Sequence, residues 1–256
     1  MSRLPIAAGN WKMNKTIEEA SEFAEALLGF SPNTSDIEII LCPPFVSLYP
    51  LSQKLAHTGL KLGAQNCHWE TKGAFTGEIS VPMLLAVQCQ YVICGHSERR
   101  HIFGETSEDI GKKVKTAIHF GLKPILCVGE TLEEREAGQT EVIVLDHLSN
   151  GIANLTKEEA LSLVVAYEPV WAIGTGKAAT PHDAHQVISF IRQQLAKKFD
   201  EKTAEQIRIL YGGSVTPENV FDFMKDPEID GSLVGGASLD PAKFNKIILE
   251  SLRPYQ

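Results

Sequence analysis

The sequence predicts an α/β protein with a single-domain (β/α)8 barrel, and three observations favour this fold. Short apolar, β-branched runs recur near residues 5, 38, 60, 91, 123, 163, 207 and 231. These runs are continuous rather than alternating, as in strands buried on both faces of a parallel sheet. Helical patterns lie between them, and eight strand-then-helix units in 256 residues match the dimensions of such a barrel. A doubly wound open sheet shares this alternation and is the alternative fold at this stage.

The eight candidate strands differ in sequence but share an apolar body. In chain order they are PIAAGN, EIILC, LKLGAQ, YVIC, KPILCV, LVVAYE, IRILYG and GSLVGG. Turns, charged residues and helical segments separate them. No Pro/Ser-rich linker or block of like charge divides the chain, so we expect one domain over residues 1–256.

The candidate helices have apolar stripes and start signals. In HDAHQVISFIRQQLAKKF, apolar residues recur at steps of three and four to form one stripe: Ala184, Val187, Ile188, Ile191 and Leu195. Thr16 with Glu19, and Thr131 with Glu134, fit capping boxes. A capping residue precedes proline three times, which predicts helix starts after strands six, seven and eight at Thr180-Pro181, Thr216-Pro217 and Asp240-Pro241.

Composition limits the partners and the compartment. The formal net charge of −8 argues against general affinity for nucleic acid or anionic membranes. No apolar run approaches the roughly 20 residues that span a bilayer. Five cysteines form no CxxC pair, and the N-terminus shows no charged-then-apolar signal segment. We therefore expect a reduced, cytoplasmic protein that holds any anionic ligand at a local site.

Polar residues follow several of the candidate strands, at the end where α/β proteins bind ligands. The first strand ends in Asn10 and Lys12, the fourth in His96 and the sixth in Glu168. Each alone is more often a surface salt-bridge partner or a cap. A closed barrel, however, would bring these three strand ends to one mouth, where an ammonium, an imidazole and a carboxylate could act together.

Paired glycines end the seventh and eighth strands, in YGGS (211–214) and VGGAS (234–238). Glycine permits close approach of the backbone, and exposed N–H groups beside a helix N-terminus bind anions. Tight turns would also use glycine. The same feature at two consecutive strand ends favours a phosphate site.

Two other kinds of site are less well supported. The segment GTGKAA (174–179) fits a loose dinucleotide-binding pattern, but PVWAI separates it from its strand, so a nicotinamide cofactor is not expected. Cys94 with His96, and His182 with His185, could share a face, yet neither pair has two further ligands in sequence. We expect no metal and no cofactor.

Several motifs together resemble the triosephosphate isomerase family. They occur in order from Ile6 to Leu239, and AYEPVWAIGTGK and GHSERR are the most specific: GNWKMN, GAQN, GAFTGE, GHSERR, CVGE, AYEPVWAIGTGK, YGGSV and VGGASL. The resemblance implies a TIM barrel that interconverts dihydroxyacetone phosphate and D-glyceraldehyde 3-phosphate without a cofactor. It implies that Glu168 is the base, that His96 is the electrophile and that Asn10 and Lys12 bind substrate, with Glu98 in a supporting role. It also implies phosphate contacts from Gly174, Ser214, Gly235 and Gly236.

The residue chemistry agrees with these implied roles. Moving a proton between adjacent carbons needs a base at the carbon acid and donors at the oxygen where negative charge develops. Glu168 supplies the first, and His96 with Lys12 supplies the second. Pro169 restricts Glu168 to an extended backbone. His96 lies just before a predicted helix, whose positive end disfavours an imidazolium.

Two loops complete the expectations. The apolar segment after Glu168 is predicted to be a lid that excludes water, formed by Pro169, Val170, Trp171, Ala172, Ile173, Gly174, Thr175, Gly176 and Lys177. The long connection at 66–80 contains Trp69 and Phe75, and in the resembling family it enters the neighbouring subunit. The same resemblance places Thr76 near Lys12 of the neighbouring subunit, so Phe75 and Thr76 are predicted at a homodimer interface. A barrel that binds sugar phosphates without turnover is the alternative function.

Overall fold

Eight parallel strands form a closed barrel in the computed structural model, which describes residues 3–173 and 179–255. Each strand pairs with its neighbours in sequence, and the last pairs with the first, so the open-sheet alternative is excluded. The predicted fold and all eight strand positions are confirmed. The strands are β1 Ile6–Asn10, β2 Glu38–Cys42, β3 Lys61–Ala64, β4 Tyr91–Cys94, β5 Lys123–Val128, β6 Val164–Tyr167, β7 Arg208–Tyr211 and β8 Gly231–Val234.

Helices surround the barrel, and most predicted starts are found. Thr16, Thr131 and Thr180 each form a capping box, and Asp240 caps the last helix ahead of proline. No helix within residues 3–173 and 179–255 is long and apolar enough to cross a membrane. The helices are α1 Ile17–Gly29, α2 Phe45–Lys54, α3 Val81–Ala86, α4 Ser97–His101, α5 Ser107–His119, α6 Leu132–Glu136, α7 Thr140–Ile152, α8 Lys157–Ala160, α9 Pro181–Lys198, α10 Glu201–Ala204, α11 Val220–Met224 and α12 Pro241–Leu252.

The helix start predicted at Thr216-Pro217 is wrong. The chain makes a turn there, and α11 begins at Val220. Thr216 does not cap a helix as Thr180 does, because its Oγ1 accepts the Glu218 N–H two residues later, at 3.3 Å, and not the N–H three residues later. Asn219 Oδ1 accepts the Thr216 N–H at 2.8 Å, and Asn219 Nδ2 donates to the Ser214 carbonyl at 3.0 Å. These bonds hold the segment after the first glycine pair, Gly212-Gly213, in a loop at the barrel mouth.

Two apolar layers hold the fold together. The outer layer lies between strands and helices, and the inner layer fills the barrel with alternate strand residues: Ile6, Ala8, Ile40, Cys42, Tyr91, Ile93, Ile125, Cys127, Val164, Ala166, Leu210 and Leu233. Arg208 crosses the N-terminal end of the barrel, where it contacts Glu38 and donates to the Tyr91 hydroxyl at 3.2 Å. The barrel is therefore packed at its base, and a ligand can enter only from the other end.

Candidate active site

A cavity of about 300 Å³ opens at the C-terminal ends of the strands. It brings together every predicted catalytic and substrate-binding residue that the structure describes, although these residues come from strands far apart in sequence. Gly174 lies outside the described residues. The lining consists of Asn10, Lys12, His96, Glu168, Ile173, Gly212, Gly213, Ser214, Val215, Thr216, Leu233, Gly235, Gly236 and Ala237.

Glu168 and His96 meet at the centre of this cavity. Their side chains are almost fully buried, at 2% and 6% exposure, and His96 Nε2 lies 3.2 Å from Glu168 Oε1. The Ser97 N–H donates to the other carboxylate oxygen at 3.1 Å. The Glu168 carboxylate is therefore held by the imidazole on one side and by the first N–H of α4 on the other.

The hydrogen bonds of His96 define its tautomer. His96 is the N-cap of α4, and the Glu98 N–H donates to its Nδ1 at 3.2 Å. A nitrogen that accepts a hydrogen bond carries no proton, so the neutral ring must carry its proton on Nε2. That N–H points toward Glu168 and the cavity. The imidazole is thus arranged to donate from Nε2. The helix expected directly after His96 is present as α4.

Lys12 supplies the cation of the site from an unusual backbone conformation. Its φ of 52° lies in the left-handed region, which non-glycine residues adopt only when their surroundings hold them there. Its N–H donates to Asn10 Oδ1 at 3.1 Å, and its carbonyl accepts from Gln65 Nε2 at 2.8 Å. Its ammonium lies 2.8 Å from Glu98 Oε1.

Gln65 and Arg100 position the site, and sequence reasoning gave neither a role. The Arg100 guanidinium donates to the Gly95 carbonyl and to the Cys127 carbonyl, both at 2.9 Å. It thereby joins the end of β4, which carries His96, to the end of β5. Burial lowers the pKa of Arg100, but an arginine stays charged in proteins. Gln65 lies in the motif GAQN and Arg100 in the motif GHSERR, and this position within the motifs is the sequence signal that could have identified them.

The glycine pairs after β7 and β8 form one wall of the cavity. A Cβ on Gly212 would lie 2.8 Å from Glu168 Cγ, so a larger residue would push the carboxylate aside. A Cβ on Gly236 would meet nothing within 4 Å, and this glycine leaves open space beside a short 3-10 helix at Gly236–Leu239. Glycines of this kind let the backbone approach a bound ligand closely.

The first half of the predicted lid is anchored by Glu130. The Val170 N–H donates to the Glu130 carbonyl at 3.0 Å, and Trp171 Nε1 donates to Glu130 Oε1 at 2.9 Å. The Arg135 guanidinium lies over the Trp171 ring at 4.4 Å. The remaining predicted lid residues, Gly174 to Lys177, lie outside the described residues.

A second cavity of about 230 Å³ lies on the other side of Lys12 and His96. Apolar side chains at its rim are strongly exposed, with Met13 at 96% and Phe103 at 64%. Phe75, from the loop at 66–80, packs on His68 with ring centroids 4.3 Å apart and is 43% exposed. Lys12 and His96 therefore line a second cavity whose rim presents apolar groups.

The barrel mouth holds a buried carboxylate beside an imidazole, together with an ammonium and a glycine-rich wall. This arrangement is typical of (β/α)8-barrel enzymes that move protons on small anions. The family model "Triosephosphate isomerase" matches residues 5–251. The chain therefore belongs to the triosephosphate isomerase family, whose members are isomerases, and the resemblance seen in the motifs is confirmed.

Bacterial relatives named triosephosphate isomerase match almost end to end. The protein of Endomicrobium trichonymphae is 53% identical over 96% of this chain and 98% of its own length. That of Carboxydothermus hydrogenoformans is 51% identical over 98% of this chain and 100% of its own length. That of Aquifex aeolicus is 53% identical over 95% of this chain and 98% of its own length.

Proposed function

We propose that this chain interconverts dihydroxyacetone phosphate and D-glyceraldehyde 3-phosphate through an enediolate, in glycolysis and gluconeogenesis and without a cofactor. Membership of the family supports the reaction. The observation that carries the mechanism is the 3.2 Å contact between His96 Nε2 and Glu168 Oε1. This contact supports a base and a donor that act on adjacent atoms of one small substrate.

Glu168 acts as the base in this proposal. Its carboxylate removes a proton from the carbon next to the carbonyl, and the electron pair moves onto the carbonyl oxygen. His96 donates to that oxygen through Nε2–H, and the Lys12 ammonium stabilises the negative charge. Return of the proton to the neighbouring carbon completes the isomerisation, so no oxidant or other co-reactant is needed.

The phosphate of the substrate is held away from the reacting carbons. Ser214, Gly235 and Gly236 line the same cavity as Lys12, and their N–H groups bind the phosphate in this proposal. Gly174 joins them from the lid. Closure of the lid over the phosphate excludes water, which strengthens the electrostatic stabilisation of the enediolate.

The working assembly is a homodimer in the cytoplasm. Phe75 and Thr76 of one subunit enter the cavity beside Lys12 of the other and cover the exposed apolar rim. The 96% exposure of Met13 supports this arrangement, since an unbranched apolar side chain that lies open at a site rim suits burial against a partner.

Exchange of substrate protons with solvent tests the proposed function. In deuterated water the wild-type protein should incorporate deuterium at the carbon beside the carbonyl, and Glu168→Gln should incorporate none. Binding of dihydroxyacetone phosphate by calorimetry serves as the control, because Glu168→Gln keeps the phosphate site. Binding without exchange in the wild-type protein would instead establish a barrel that holds sugar phosphates without turnover.

A further inference from the structure

An open groove of about 460 Å³ continues from the phosphate-binding wall toward the outside of the barrel. Thr216, Gly236 and Ala237 line both the groove and the central cavity. A Cβ on Gly236 would meet nothing within 4 Å, so no side chain separates the two spaces at this residue. A ligand whose phosphate occupies the cavity can therefore extend into the groove past a wall of small residues.

The groove carries two cations in a chain of net charge −8. Lys243 and Lys246 project from the first turns of α12, whose N-terminus also favours anions. Within residues 3–173 and 179–255, Lys243 forms no ion pair.

Two carboxylates lie nearby. Glu218 is 3.6 Å from the Lys246 ammonium, and both groups are more than half exposed, so this pair contributes little and yields to a stronger anion. Asp240 accepts the Lys243 N–H at 2.9 Å and is thereby engaged as the cap of α12. The net charge of the groove lining is therefore positive.

We propose that this groove is a second anion subsite, which binds the outer phosphoryl group of a phosphoric anhydride whose inner phosphoryl group occupies the substrate phosphate position. Lys243 and Lys246 pair with the outer group. The ligand class is a linear polyphosphate, either free or at the end of a nucleotide. Such a ligand competes with the substrate, and the enzyme is thereby inhibited by anhydrides more strongly than by orthophosphate. The inference rests on the proposed function, because it uses the same phosphate position.

Competitive inhibition tests the subsite, with orthophosphate, pyrophosphate and ADP as inhibitors at constant ionic strength and without divalent cations. The wild-type protein is compared with the double variant Lys243→Gln/Lys246→Gln. The control is Lys197→Gln/Lys198→Gln on α9, which removes the same charge beside a different groove. We expect pyrophosphate to bind about 10-fold more tightly than orthophosphate in the wild type and in the control, as two exposed ion pairs provide.

In the Lys243/Lys246 variant this ratio should fall to about twofold or less, given the same ion-pair magnitude. A parallel fall in the affinity for ADP relative to orthophosphate would show that the anhydride can carry a nucleoside. A fall in the relative affinity for pyrophosphate alone would show that only the free anhydride fits. An unchanged ratio, or an equal fall in the control, would overturn the subsite while leaving the proposed function intact. Failure of orthophosphate to compete in every one of the proteins would overturn the subsite by removing the shared phosphate position, whereas absence of turnover in the wild type would overturn the proposed function.

Discussion

The backbone of Gly129 lies so close to Glu168 that a Cβ added to the glycine would stand 1.8 Å from the Glu168 carbonyl oxygen. The two residues follow the neighbouring strands β5 and β6, and the Glu168 N–H donates to the Val128 carbonyl at 2.8 Å. The backbone of Glu168 can lie in this position only because residue 129 has no side chain.

Gly129→Ala should displace Glu168 and reduce kcat by about 100-fold, since misplacement of a catalytic group by about 1 Å has this effect. The KM should change much less, because the phosphate wall belongs to β7 and β8. Steady-state kinetics and thermal melting of both proteins check this prediction. The control is Gly29→Ala in α1, where a Cβ would meet nothing within 4 Å. A folded Gly129→Ala enzyme with kcat within twofold of the wild type would contradict it.

Lys12→Met should abolish substrate binding and turnover while the barrel stays folded. Lys12 is the only lysine or arginine that lines the described cavity, and a protein of net charge −8 needs a local cation to hold a phosphorylated substrate. Calorimetric titration with substrate measures binding, and circular dichroism shows whether the barrel stays folded. Lys15→Met is a matched control, because Lys15 also has a positive φ but lies outside the cavity. Near-normal activity of Lys12→Met would remove this residue from the site.

Removal of Ala172 to Thr175 should shorten the lid and have two separable effects. Isomerisation should fall by about 100-fold or more, because the base and the phosphate lose their alignment. The fraction of turnovers that release phosphate and methylglyoxal should rise, because an open site lets the enediolate expel its phosphate. Both products are quantified in one reaction, with Trp171→Phe as a control of unchanged loop length. If isomerisation drops and the elimination fraction does not, the segment binds substrate without protecting the intermediate.

Acid stability should depend on His147. Burial, followed by the positive charge of Arg100, lowers the pKa of His147 to about 3 from its ordinary 6.5, and its Nδ1 accepts the Gly129 N–H at 3.4 Å. Between these pH values the unfolded chain binds a proton that the folded protein does not. The contribution to stability is therefore complete above pH 6.5 and is lost as the pH falls toward 3.

His147→Asn should weaken this pH dependence, at most by about 1.4 kcal/mol per pH unit. Urea unfolding at pH 7.5, 5.5 and 4.5, at one protein concentration, gives the slope. His182→Asn is the control, since that side chain is exposed. Equal slopes for His147→Asn and the wild type would show that His147 does not titrate on unfolding.

Phe75→Asp should convert the proposed homodimer to a monomer and reduce activity, because a charge would be buried at the proposed interface without a partner. Light scattering after gel filtration measures the mass, and activity is assayed over a dilution series. Val142→Asp on α7 is the control, since Val142 is 66% exposed and lies outside the loop at 66–80. A wild-type monomer that keeps full activity at high dilution would contradict the proposed assembly.

The strands could be predicted because both of their faces are buried, which leaves a continuous apolar run in the sequence. The helix starts at Thr180 and Asp240 were found for a local reason, since their side chains accept N–H groups three residues later. Thr216 has the same sequence signal but does not start a helix, because its Oγ1 accepts the N–H of Glu218, only two residues later, and Asn219 Nδ2 bonds back to the Ser214 carbonyl.

The convergence of Asn10, Lys12, His96 and Glu168 could be predicted once closure of the barrel was assumed. The roles of Gln65 and Arg100 could not, because they act through backbone carbonyls of other strands. Gln65 Nε2 donates to the Lys12 and Cys42 carbonyls at 2.8 and 2.9 Å. Bonds of this kind depend on how neighbouring strands are spaced, and no pattern of side-chain types specifies that spacing.

Closure of the barrel between β1 and β8 has a consequence for synthesis of the chain on the ribosome. Ile6 is aligned with Gly231, so the first strand lacks one of its two partners until β8 has emerged. Until then the growing sheet has two free edges, which can pair with other chains. Pairing of β8 with both β1 and β7 removes the two edges at once, and a molecule truncated before β8 would keep them.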